Sequence, residues 1–128
     1  MHSDPSSYEQ GTRKRAAALA SLFMGLANNG GLNHFLEASY DFDAQEIIEA
    51  LHLVGAHKAA GQLEEVVAGL AISLPPMSQD ERWNALEEHW SGHLNDLDVL
   101  SSQAEKELMV VLERHVAENE QFYINLMN

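Results

Sequence analysis

The run Asn28-Asn29-Gly30-Gly31 limits the possible folds of this chain more than any other stretch. Asn and Gly adopt left-handed backbone angles at low steric cost, so four in a row stop a helix and redirect the chain. Before the run, Leu19, Leu22, Phe23 and Leu26 are spaced three and four apart among Ala16, Ala17, Ala18 and Ala20. That period predicts a helix from about Tyr8 to Ala27. After it, a short helix is expected from Leu32 to Ala38.

The remainder reads in the same way. Asp43-Ala44-Gln45-Glu46 has the spacing of a capping box, with Asp43 as N-cap and Glu46 reaching back. Ile47, Ile48, Leu51 and Val54 form the buried stripe of the helix it starts, and Gly55 ends that helix. Lys58 to Leu74 carries the next stripe, broken by Pro75-Pro76. Ser78-Gln79-Asp80-Glu81 is a second capping box, followed by Trp83, Leu86, Trp90, Leu94 and Leu97 on one expected helix face. Trp83 and Trp90 read as core. That helix frays near Asp98 to Ser102, and a last one starts at about Gln103 with Leu108, Val111, Leu112, His115, Val116, Phe122 and Tyr123. No strand-like alternation interrupts the series. The expected fold class is all-α: a single-domain helical bundle of about five to seven helices. It covers residues 8–128, behind a disordered tail at residues 1–7.

Charge and cysteine content exclude several kinds of function. The 128 residues include 20 acids and 7 Lys or Arg, for a net charge of -13, and three of the bases are adjacent at Arg13, Lys14 and Arg15. Phosphates are repelled by such a surface, so no direct nucleic-acid binding is expected, and anionic membranes are disfavoured too. No apolar run approaches the roughly 20 residues a membrane helix needs, and no signal peptide is visible. With no cysteine there is no disulfide or thiolate nucleophile. A cytoplasmic protein with a cationic protein partner is the expectation.

Two longer blocks carry a resemblance. Asn29-Gly30-Gly31-Leu32-Asn33-His34-Phe35-Leu36 is similar to an Asn-Gly-Gly-Phe-x-x-Tyr/Phe-Phe motif. Glu49-Ala50-Leu51-His52-Leu53-Val54-Gly55-Ala56-His57-Lys58-Ala59-Ala60 looks like the Ala-Leu and apolar-Gly-Ala-x-Lys-Ala-Ala block of the same family. Leu94-Asn95-Asp96-Leu97-Asp98 and Val116-Ala117-Glu118-Asn119-Glu120-Gln121-Phe122 resemble its Leu-x-x-Leu-Asp and Asn-x-x-x-Phe elements, the latter with two rather than three residues between Asn119 and Phe122. The family is bacterial and includes a DNA mimic. The resemblance implies an acidic, all-helical homodimer that occupies the DNA-binding surface of a transcription factor. Leu32 and Leu36 stand where the family has aromatics, and Val99-Leu100 replaces an aromatic pair.

Mimicry requires carboxylates in rows. Residues three, four or seven apart on a helix stand one or two turns apart, with a turn rising about 5.4 Å. Three patches are candidates for contact with a basic DNA-binding protein. The first is Asp43, Glu46 and Glu49, extended by Glu37 and Asp41; the second is Asp80, Glu81, Glu87 and Glu88; the third is Glu105, Glu113, Glu118 and Glu120. The same charge would suit an immunity or antitoxin-like inhibitor of a basic nuclease. A metal-dependent helical enzyme is the contrasting class, built on His89, His93 and Asp96 if these share a helix face. The Glu88-His89 order is not the zinc-protease motif, and no nucleophile is paired with a base. The chain is therefore expected to act without enzymatic chemistry, cofactor or metal. His52 and His57 flank a helix break and are expected to satisfy backbone carbonyls, with His115 at the edge of the core.

Overall fold

A computed structural model describes residues 5–118, with side chains characterised from Thr12 onward. Within them the chain forms five α-helices, one 3-10 helix and no strand. The order is α1 (Pro5–Ala38), α2 (Ala44–Val54), α3 (His57–Leu70), α4 (Gln79–His89), a 3-10 turn (Gly92–Leu97) and α5 (Ser102–Glu118). α1 packs along α2, and α3 packs on both α2 and α5; α4 and α5 each return to α1. Pro5 to Ser7, expected in the tail at residues 1–7, form the first turn of α1, and the rest of that segment lies outside the described residues.

α1 departs from the sequence expectation in an informative way. Asn28, Asn29 and Gly30 remain helical, and the chain breaks at Gly31 alone, with φ 89° and ψ -178°. Those angles are essentially reserved for glycine. Two helices therefore meet end to end across one residue. The N-terminal half buries Ala16, Leu19, Ala20, Phe23 and Ala27; the C-terminal half buries Leu32, Phe35 and Leu36. Phe23 and Phe35 meet across the junction edge to face, with ring centroids 4.9 Å apart. The break would leave new N–H groups of the second half without acceptors. Asp98 satisfies two of them: its carbonyl accepts from Leu32 N at 2.7 Å, and its Oδ1 accepts from Asn33 N at 2.8 Å. Asp98 thus caps a helix that lies 65 residues earlier in the chain. The approach leaves no room for a side chain at position 31. A Cβ there would lie 2.6 Å from Asp98 Oδ2 and 2.9 Å from its backbone oxygen.

Local signals set the ends of the middle helices. Asp43 accepts from Gln45 N as the N-cap of α2, and Gly55 closes that helix at φ 95°. Glu46 does not reach back to complete the capping box; it pairs with Arg15 on α1. Ser78 caps α4 by accepting from Glu81 N at 3.2 Å, while its hydroxyl donates to the Glu81 carboxylate at 3.0 Å. α3 stops at Leu70, earlier than the apolar pattern suggests, with Ala71 in the left-handed region at φ 59°. Leu74 is still buried, but as part of the connection leading to Pro75-Pro76.

The expected long helix through Leu97 ends at His89. The chain then bends at Trp90-Ser91 into the 3-10 turn. Leu94 remains buried because its side chain presses on Gly69, where an added Cβ would come within 2.4 Å of Leu94 Cδ2. Trp83, expected in the core, is 48% exposed, whereas Trp90 packs partly against the core. Gln62 fastens the segment that follows. Its Nε2 donates to Leu97 O and Val99 O at 2.9 and 2.7 Å, and its Oε1 accepts from Ser101 N at 3.0 Å. Val116 and the Phe122 and Tyr123 part of the last stripe lie outside the described side chains.

Two substitutions should shift stability in opposite directions. Gly31→Ala combines a forbidden backbone angle with a steric clash and is expected to cost about 3 kcal/mol or more. Ala71→Gly relieves a left-handed alanine, and the gain, reduced by the added freedom of the unfolded chain, is expected to be about 0.5 kcal/mol. Urea unfolding of both variants measures the two signs.

Candidate partner-binding surface

α4 is held by the one charged side chain buried in the described core. Arg82 has 0% exposure. Its Nη1 donates to Leu36 O at 2.9 Å; its Nη2 lies 2.8 Å from Phe42 O, 2.9 Å from Pro75 O and 3.2 Å from Leu74 O. These carbonyls come from the end of α1, the α1–α2 connection and the α3–α4 connection. Leu74 O also accepts from Ala44 N, and Tyr40 O accepts from Met77 N. The start of α4 is thereby joined to the start of α2. Burial pushes the guanidinium pKa down from its ordinary value, and the nearby Asp43 carboxylate pushes it back up. Arginine suits the position because its planar fork can reach several fixed acceptors at once and it stays charged.

This anchoring has an electrostatic consequence. Arg82 is the only Lys or Arg in α4, and it points inward. Asp80, Glu81, Glu87 and Glu88 are all exposed, and none forms an ion pair with a cation among the described residues. Asp80 and Glu87 stand three before and four after Trp83, on the same stripe of the helix. The outer face of α4 is therefore four carboxylates beside a half-exposed indole. Seven residues separate the Asp80-Glu81 step from the Glu87-Glu88 step, about 10 Å along the axis.

The other expected acids are placed differently. Asp43 and Glu46 are half-buried, the first as a helix cap and the second paired with Arg15, while Glu49 is exposed. Glu49 and Glu46 line a cleft between α1 and α2 together with Arg15, so that patch is partly neutralised. Glu37 is half-buried and Asp41 exposed near the α1–α2 connection, toward the start of α4. On α5, Glu105 is half-buried in the first turn and Glu113 is exposed. Glu118 is the final residue of α5 and its side chain lies outside the described set, as does all of Glu120. The fold thus brings the Asp43 end of the first patch near the Asp80 end of the second. The described members of the third, Glu105 and Glu113, lie on a separate helix.

The histidine expectations are corrected. His89 ends α4 and His93 belongs to the 3-10 turn, so the two do not share a helix face with Asp96. Among the described residues no three His, Asp or Glu side chains come together as metal ligands. His93 Nδ1 instead meets Ser91 Oγ at 2.6 Å. His52 and His57 do not serve backbone carbonyls; their Nδ1 atoms are 2.9 Å apart, and His52 Nε2 meets Glu64 Oε1 at 2.8 Å. His115 sits half-buried at the core edge, as expected. No described helix is long and apolar enough to cross a membrane.

Arg82 was not singled out by the sequence pattern, although a signal was available. It stands four residues before Leu86, on the stripe that faces the core, so its guanidinium had to be buried or the stripe interrupted. Arg82→Met would take the guanidinium donors from the Leu36, Phe42 and Pro75 carbonyls, while Leu74 O keeps Ala44 N, and is expected to cost on the order of 3 kcal/mol. Arg82→Lys should cost less but still destabilise, because an ammonium cannot span the same acceptors. Thermal melts rank the two, and hydrogen exchange should show the loss first in α4.

The fold and this surface can be set beside known proteins. The family model described as DMP19-like protein matches residues 12–119. No curated protein and no solved structure matches the chain. The family match takes in α1 from Thr12, both halves of the Gly31 junction, the Arg82 anchor and the whole acidic face of α4, and the chain belongs to the DMP19-like family.

Proposed function

We propose that this protein is a non-enzymatic binding module that offers the carboxylate face of α4 to the DNA-binding surface of a basic protein, in the manner of a DNA mimic. The observation that carries the reading is the inward turn of Arg82, which leaves Asp80, Glu81, Glu87 and Glu88 outward with no cation among them. Membership of a family named for a DNA mimic supports it. The physical requirement is modest. A DNA-binding protein carries Lys and Arg spaced to meet phosphates, and fixed carboxylates at helix-turn spacing can engage some of them. Trp83 adds a flat apolar surface on which a guanidinium can stack. Asp41, Asp43 and Glu37 extend the negative field toward the start of α2. A regulator whose DNA-binding surface is covered in this way releases its operator, so the consequence in the cell is a change in transcription.

The reading is tested with wild-type protein and the variant Asp80→Asn/Glu81→Gln/Glu87→Gln/Glu88→Gln, each immobilised and exposed to lysate at low and high salt. The expected result is capture of a DNA-binding protein by wild type, lost at high salt and displaced by duplex DNA. The four-site variant, with its fold checked by circular dichroism, should lose most of that capture. Capture that is equal in the variant, or indifferent to duplex DNA, rules out α4 as the mimic face.

A further inference from the structure

The corner between α2 and α3 brings three titratable side chains into contact. His52 lies in the last turn of α2, and His57 opens α3. Gly55, at φ 95°, turns the backbone between them. The turn is fastened by Gly55 N–H to His52 O at 3.0 Å and by Ala56 N–H to Leu51 O at 2.8 Å. Ala56 is fully buried, so both histidines project from a fixed support. Their Nδ1 atoms are 2.9 Å apart, and His52 Nε2 meets Glu64 Oε1 at 2.8 Å. Glu64 stands seven residues after His57, about 10 Å along the same face of α3, and the His52 ring bridges the two.

The contacts fix where the hydrogens lie. A carboxylate only accepts, so a neutral His52 ring carries its hydrogen on Nε2 and a bare lone pair on Nδ1. Two lone pairs would repel at 2.9 Å, so a hydrogen on His57 Nδ1 fills the gap. His57 Nε2 makes no hydrogen bond among the described residues, so the His57 hydrogen can equally sit there, facing solvent. Both Nδ1 atoms then present lone pairs to one place. An ordinary surface ion pair needs one histidine and one carboxylate. Here a carboxylate holds the outer nitrogen of one ring while its inner nitrogen faces a second ring, which is how a metal-ligating histidine is oriented.

We infer that His52 and His57 form a two-nitrogen chelate for a divalent transition-metal ion, with Glu64 orienting His52 from behind. Two nitrogens at about 2.0–2.1 Å from an ion and at right angles to each other are about 2.9 Å apart, whereas a tetrahedral angle spreads them to about 3.3 Å. The observed 2.9 Å therefore suits a square or octahedral ion such as Ni²⁺ or Cu²⁺ better than Zn²⁺. The ion replaces the shared hydrogen, which moves to His57 Nε2. The rings aim both lone pairs at it by turning about their Cβ–Cγ bonds, a soft torsion, and both side chains are exposed. Water fills the other coordination positions. The nearest cations do not crowd the site. Lys58, Lys106, Arg114 and Arg13 line two adjoining clefts against α5, and His52 and His57 line neither. The net charge of -13 draws divalent cations toward the surface. Bound there, the ion clamps the end of α2 to the start of α3 across the Gly55 turn. The site is independent of the α4 face and of any partner that face engages.

The test titrates Ni²⁺ into the full, tag-free chain after removal of metal with a chelator, followed by calorimetry and by proton–nitrogen spectra of the histidine rings. Wild type is expected to take up one ion per chain, with the His52 and His57 ring signals broadening first and those of the remaining histidines persisting. His52→Ala and His57→Ala should each weaken binding more than tenfold. Glu64→Gln, which touches no ion, should weaken it about tenfold by loosening the His52 ring. His89→Ala/His93→Ala should bind as wild type does. Circular dichroism checks each fold, and His52→Gln and His57→Gln replace an alanine variant that does not fold. The inference is overturned by wild type that takes up no ion, or by either single-histidine variant binding as tightly as wild type. Broadening spread evenly over all the histidines, the mark of an adventitious ion only, overturns it as well. Unchanged affinity in Glu64→Gln overturns the role given to Glu64.

Discussion

A guanidinium withdrawn from water needs replacement acceptors, and in this protein that need organises one side of the molecule. Arg82 finds its acceptors on the carbonyls of Leu36, Phe42, Leu74 and Pro75, with only Nε lacking a partner among the described residues. None of these acceptors belongs to α4 itself. The arginine therefore works as a tether running from α4 into three other segments. Removing it would leave the helix attached chiefly through Leu86, its other fully buried side chain. The same side chain sets the sign of the surface, because a cation placed inside is a cation missing outside. Anchoring and acidity are two results of one rotamer.

The Gly31 junction is a second constraint of this kind, and it relates motifs that are far apart in the sequence. The Asn-Gly-Gly and Leu-x-x-Leu-Asp elements are distant along the chain, but Asp98 supplies the acceptors that Leu32 and Asn33 lack, and Gly31 supplies the space Asp98 needs. Each is intelligible only in the presence of the other. Gln62 holds the Asp98 segment from its opposite side, through three bonds to its backbone.

Much of the architecture could be read from sequence because it rests on local chemistry. The stripes of α2 and α3, the described part of the α5 stripe, the Asp43 and Ser78 caps and the Gly55 stop all depend on residues a few positions apart and appear in the structure, whereas Leu22, expected in the α1 stripe, is 38% exposed. The errors arose where distant contacts override a local pattern. The helix expected to run past Trp90 stops because the 3-10 turn is drawn onto α3 by Leu94 against Gly69 and by Gln62. Trp83 looked like core because it begins an apolar stripe, yet the stripe that is buried runs through Arg82 and Leu86. The acidic patches could be listed from sequence, but which acids stand unpaired could not. Arg15 pairs with Glu46 across 31 residues, and no spacing rule reveals that. The clustering of Arg13, Lys58, Lys106 and Arg114 is equally invisible in one dimension, since these residues come from three different helices.

The crossed rings of Phe23 and Phe35 have a mechanical meaning. They bridge the only interruption in α1, so the helix can neither straighten nor fold further without pulling an aromatic pair apart. α1 is a bent strut whose elbow is locked. Arg13 rides on one arm, and the Leu36 carbonyl that secures Arg82 rides on the other. The distance and angle between the arm that bears Arg13 and the arm that secures Arg82 are therefore a built-in dimension of the fold, set by that elbow.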